Sequence, residues 1–65
     1  MANKKKWFVV TSDSGLNLRE QPSITAKILK VFDWNDRIEA DNNVIAPDGW
    51  IAVKGGGFVM KEFVK

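Results

Sequence analysis

The amino-acid sequence predicts an all-β fold, a small barrel of five to six short antiparallel strands with one short helical turn near the C-terminus. Apolar and polar residues alternate in short runs, most clearly in Leu16-Asn17-Leu18-Arg19 and in Arg37-Ile38-Glu39-Ala40-Asp41. That is the period of a strand with one buried face. The runs are rich in β-branched and aromatic residues, and Gly, Pro, Asn or Asp bounds each of them. The chain has 65 residues, which makes one domain and leaves no room for a separate catalytic unit.

Residues 1–6 hold Lys4, Lys5 and Lys6 and form a basic, solvated end; the domain runs over residues 7–65. Trp7-Phe8-Val9-Val10-Thr11 reads as a first strand and Thr11 to Gly15 as a loop. Gly15 can supply an unusual backbone angle where the next strand starts. Pro22 stops that strand, because it has no amide for a ladder and holds Gln21 in an extended or turn conformation. Ser23 to Asn35 fits two patterns. Ile24, Ile28, Val31 and Phe32 match helical spacing behind Ser23 as an N-cap, whereas the β-branched content, the preceding Pro22 and the turn residues Asp33 to Asp36 favour a strand over 26–32. The strand is the expectation. Arg37 to Asp41 follows with Ile38 and Ala40 inward, Asn42-Asn43 opens a loop, and Pro47-Asp48-Gly49 marks a turn. Trp50 to Lys54 is a strand with Ile51 and Val53 as its core pair. Gly55-Gly56-Gly57 turns the chain into a closing strand Phe58-Val59-Met60, after which Lys61-Glu62 forms a tight helical turn and Phe63-Val64 packs back.

Leu16-Asn17-Leu18-Arg19, with Pro22 after two intervening residues, resembles the L-N-V-R-x-x-P signature of bacterial SH3 domains. Ala26 to Phe32 and Arg37 to Asp41 are similar to that family's next strands. Gly49-Trp50-Ile51-Ala52-Val53 is similar to its G-W-x-x-V strand, and Gly57-Phe58-Val59 with Phe63-Val64 to its closing G-W-V and aromatic-aliphatic pair. The resemblance covers residues 7–65 in order and implies an SH3-like barrel. As a family, such domains commonly attach cell-wall hydrolases to peptidoglycan peptides, and others mediate protein interactions. It also implies that the first long loop, here Thr11 to Gly15, walls one side of a binding groove. Two positions depart from the pattern. Asn35 stands where the family has a Gly, and Asn is the non-Gly residue that best tolerates left-handed backbone. Phe58 stands where it has a second Trp, which keeps apolar area and loses an N–H donor.

Composition narrows the chemistry. Cys and His are both absent, which removes thiol nucleophiles, disulfides, thiolate metal sites and the commonest general base. The net charge of +2 is unevenly placed: residues 1–32 carry +4, residues 33–50 carry −4 and residues 51–65 carry +2. That is a basic end beside an acidic middle, not the basic face of a nucleic-acid binder. Asp33 with Asp36, or Glu39 with Asp41, could pair as acid and base, and Glu39, Asp41 and Asp48 could hold a hard cation; a solvated acidic face whose turn carboxylates cap backbone groups is the simpler reading. Gly55-Gly56-Gly57 lacks the Lys-Ser/Thr and helix of a phosphate loop, so it reads as a turn. No catalytic residue, metal site or cofactor is expected.

Aromatic side chains carry the better signal. Three Trp and four Phe exceed what so small a core can hold, so one or two should be exposed. Trp34 lies in a turn, either free for a ligand or as a lid over the barrel end. Trp50 either offers a stacking surface in the groove or belongs to the core. Asn17 and Arg19 face outward beside the first loop, where they could hold a peptide's carbonyls or carboxylate; alternatively Arg19 pairs with Asp36 or Glu39. The candidate ligand-binding set is therefore Asn17, Arg19, Trp34, Trp50 and Phe58.

The function expected is that of a non-catalytic, monomeric binding module for a cell-wall peptide, held in a groove formed by the first loop, Trp50 and the Asp33 to Asp36 hairpin. The alternative is a small intracellular or phage-encoded protein-interaction adaptor, which the Met1 start and the short apolar run after Lys6 favour. As written the chain is expected in the cytoplasm, or in the wall if it was excised from a secreted hydrolase. No segment is long enough to span a membrane. Nucleic-acid binding by Lys4 to Lys6 with Trp7 ranks last. No measurable affinity for a single-stranded oligonucleotide is expected at physiological salt; micromolar binding that disappears when residues 1–6 are removed would reverse that ranking.

Overall fold

The computed structural model describes residues 6–65. Among them six strands form: β1 (Trp7–Val9), β2 (Leu16–Arg19), β3 (Ile28–Phe32), β4 (Arg37–Glu39), β5 (Trp50–Ala52) and β6 (Phe58–Met60). A 3-10 turn at Lys61–Phe63 follows. All pairing is antiparallel, with β1 beside β4 in one sheet and the order β3-β2-β6-β5 in the other. The chain is thus a small all-β fold of two antiparallel sheets, in agreement with the SH3-like barrel expected. The strand reading of 26–32 holds over Ile28–Phe32. Ala26 and Lys27 belong to the turn before it, where the Ala26 amide donates to the Ser23 carbonyl and the Glu20 amide to the Lys27 carbonyl. Lys4 and Lys5 lie outside the described residues.

Two isolated bridges close the sheets on each other. Ala40 pairs with Val53, reinforced by the Lys54 amide donating to the Glu39 carbonyl at 2.9 Å, and this joins β4 to β5. Val10 pairs with Val64, flanked by reciprocal bonds between Val9 and Lys65 and by the Thr11 amide on the Phe63 carbonyl. The segment after the 3-10 turn therefore acts as a further strand along β1.

Alternation fills the space between the sheets. Leu16 and Leu18 of β2 meet Ile38, Ile51, Val53, Val59 and Val10 in one buried cluster, with Phe8, Phe32, Ala40, Phe63 and Val64 packed against it. Two glycines permit the close approaches. Gly15 has φ +86°, and a Cβ there would stand 2.8 Å from the Phe32 carbonyl oxygen; a Cβ on Gly57 would stand 2.7 Å from Leu18 Cδ1. Asn35 takes the left-handed conformation expected of it, with φ 72°. Among the described residues no helix is long and apolar enough to cross a membrane.

Leu18→Ala is expected to cost about 2 to 5 kcal/mol, because the residue is buried in the core cluster and its truncation removes apolar contacts and leaves a cavity. A denaturant midpoint equal to that of the parent would contradict the placement of β2 in the core.

Candidate functional site

The first loop and the outer face of β2 form one cleft. The loop starts where the Thr11 amide is fixed to Phe63, and it turns back at Gly15, whose amide donates to the Ser12 carbonyl at 3.1 Å. Since Leu16 and Leu18 face the core, Asn17 and Arg19 must face the other way, and both are half-buried. Arg19 pairs with Phe58 across the ladder, and continuing that antiparallel register sets Asn17 beside Met60. The resulting cleft, of about 340 Å³, is walled by Ser12 and Ser14 of the loop, with Asn17, Arg19, Met60 and Phe63 beneath. Its lining offers hydroxyls and an amide at the rim, and a thioether and an aromatic ring as the apolar floor.

Arg19 donates from Nη1 to the Ala26 carbonyl at 2.9 Å. Its partner is a backbone oxygen, so the expected alternative of a bond to Asp36 or Glu39 is corrected. The loop 20–27 brings that carbonyl within reach because it folds back on β2. The guanidinium keeps further N–H donors beyond this one. Asn17 makes no side-chain hydrogen bond among the described residues, so its donors and acceptor remain open.

Trp50 sits in a different cleft. It is half-buried and lines a hollow of about 310 Å³ with Phe8, Ala40, Asp41, Val44 and Lys61. Asp41 shapes this side by accepting the Asn43 amide on Oδ1 at 2.9 Å, while its own amide donates to the Ala52 carbonyl. Trp50 and Met60 are register partners, so the two hollows adjoin across β6. Phe58, half-buried, is the partner of both Arg19 and Ala52 and lines neither hollow. Trp34 also lines neither; it stands 60% exposed in the turn between β3 and β4. The structure thus brings Asn17 and Arg19 together and sets Trp50 next door, while Trp34 and the rest of the Asp33 to Asp36 turn, expected to wall the same groove, line neither hollow.

Three of the candidate carboxylates, Asp36, Glu39 and Asp41, are engaged by backbone amides or a lysine. Asp36 accepts the Asp33 amide on Oδ2 at 2.7 Å, and Glu39 lies 3.7 Å from Lys54 Nζ. Among the described residues no three acidic side chains gather in a metal-binding arrangement. Comparison with protein-family models, curated proteins and solved structures finds no match.

Met60 and Phe63 were not among the expected site residues, whereas Ser12 and Ser14 belong to the first loop that the resemblance placed along the groove. Met60 was accessible to sequence reasoning, since it alternates with Phe58 about a buried Val59. Phe63 was not, because its place depends on the 3-10 turn that carries it under the first loop. Trp7 is also exposed, beside Val9 and Arg37, in line with the expectation that the aromatic residues exceed what the core can hold.

The two tryptophans should separate in stability. Trp34→Ala is expected to melt within about 0.5 kcal/mol of the parent, and Trp50→Ala to lose on the order of 1 to 3 kcal/mol, measured by denaturant titration. Equal losses at the two positions would contradict their different burial.

Proposed function

We propose that this domain is a non-catalytic binding module that holds an extended peptide in the first-loop cleft, and that the ligand class is a bacterial cell-wall peptide. The observation that carries the reading is the pairing of an unbonded Asn17 amide with the Arg19 guanidinium above an apolar floor of Met60 and Phe63. An extended peptide offers carbonyls and amides that Asn17 can bond, and a carboxylate that Arg19 can take with its remaining donors. Because Met60 has Asn17 on one side and Trp50 on the other, a ligand crossing the sheet from the loop would reach the indole face. The wall peptide as ligand rests on the resemblance of Leu16 to Pro22 and the later segments to bacterial SH3 domains.

A second reading, a protein-interaction adaptor, is supported by the exposed apolar side chains Ile24 and Trp34, which stand outside this cleft. The two readings differ at Trp34.

Binding to purified wall fragments, with a melting curve on the same samples, tests the proposal. Asn17→Ala should bind at least about tenfold more weakly while melting like the parent. Trp50→Ala should lose binding together with some stability. Trp34→Ala should bind walls normally. Loss of a captured protein partner by Trp34→Ala, with Asn17→Ala unaffected, would favour the adaptor instead.

A further inference from the structure

Strand β3 (Ile28–Phe32) is the least covered element of the fold. It lies at the edge of the four-stranded sheet with β2 as its one neighbour among the described residues, and no backbone hydrogen bond reaches it from the other side. Such an edge presents a row of amides and carbonyls that no ladder occupies. Its side chains divide by face. Val31 and Ile28 are register partners of Asn17 and Arg19, the register shifting by one residue between Leu18 and Arg19, so despite their odd spacing they share the outer face, where they are 55% and 47% exposed. Lys30 and Phe32 are partners of Leu18 and Leu16 and share the inner side.

A cleft opens on that inner side. The turn Asp33 to Asp36 joins β3 directly to β4, yet β4 pairs with β1, and a seam is left between β3 and β4. Leu18, Ile38 and Val53 floor it; Lys30, Arg37 and Lys54 stand around it with Glu39 as the one carboxylate. Glu39 is taken by Lys54 at 3.7 Å. Lys30 Nζ rests 4.8 Å from the centre of the Phe32 ring, and neither Lys30 nor Arg37 has a carboxylate partner among the described residues.

We propose that the free edge of β3 is a second docking site, for an extended partner segment in which acidic and aliphatic residues alternate. A strand added to this edge completes the ladder and sends successive side chains to opposite sides. Those on the outer face meet Ile28 and Val31 and are aliphatic. Those on the inner side fall between Lys30 and Arg37 and carry a carboxylate, which the unpaired cations there complement. A second copy of this chain is the poorer occupant, since twofold antiparallel pairing about the middle of β3 sets Lys30 against Lys30. The same lysine turns away basic strands, as charges on edge strands generally do. The site shares no residue with the first-loop cleft, so it stands or falls independently of the function proposed above.

The test is a titration of the isotope-labelled domain, followed by backbone amide shifts, with a blocked peptide alternating glutamate and valine. A second peptide carries lysine in place of glutamate. The expected result is a set of shifts centred on β3 and Arg37, with the acidic peptide bound at least about tenfold more tightly, weakening as salt rises. Lys30→Glu, at an exposed position, should reverse the order of the two peptides. Absence of shifts in β3, equal binding of the two peptides by the parent domain, or shifts confined to the first-loop cleft would overturn the proposal. So would concentration-dependent β3 shifts without peptide, which would give the edge to a second copy.

Discussion

The alternation of β2 is the constraint on which the fold and its surface chemistry both rest. Leu16 and Leu18 go to the core because the sheet has one covered face, and Asn17 and Arg19 go outward for the same reason. A slip of the strand by one residue would bury an amide and a guanidinium and expose both leucines. Register is guarded from outside the strand as well. Gly15 lets the Phe32 carbonyl approach at one end, and Gly57 lets the Leu18 side chain pack beneath the β5–β6 turn at the other. Neither contact leaves space for a Cβ, so the neighbours of β2 hold it where its own pattern places it.

Local pattern made most of the elements legible. The faces of β2 and β4, the core pair Ile51 and Val53, the left-handed Asn35 and the closing 3-10 turn all follow from alternation and turn chemistry within a few residues. What the sequence did not disclose depends on long-range closure. Strand ends fell short where Val10, Ala40 and Val53 leave one ladder to bridge another, which no local window records. Arg19 bonds to a carbonyl seven residues on because the 20–27 loop returns to it, and composition offered carboxylates as the more obvious partners. Likewise the sequence left both Trp34, in a turn, and Trp50, at the start of a strand, as candidates for one groove. Only the register of β5 against β6 sets one of them beside Met60 and leaves the other alone.

The exposed apolar residues have a common cause in size. A domain this small buries only about 60% of the surface that its unfolded chain exposes, so a strand without a second neighbour cannot be covered on both sides. β3 is that strand, and its exposed Ile28, Leu29 and Val31 are what remains when the core is already filled by β2, β4, β5 and β6. The acidic middle of the sequence has a comparably local explanation. Asp36 and Asp41 secure turns by accepting backbone amides, and Glu39 balances a lysine, so three of the five carboxylates in that stretch have structural partners.

The clasp between Val9-Val10-Thr11 and Phe63-Val64-Lys65 has a mechanical consequence. The two segments run antiparallel, so the chain comes into the clasp and leaves it at the same end. Tension applied through residues 7 and 65 therefore peels the pair open one hydrogen bond at a time, instead of loading all of them in shear. When that clasp parts, β1 keeps its ladder with β4, but the core beneath Val10 and Phe63 is uncovered. Pulled from these two points, the domain opens from its ends inward, with the clasp loaded in sequence from Lys65 toward Phe63.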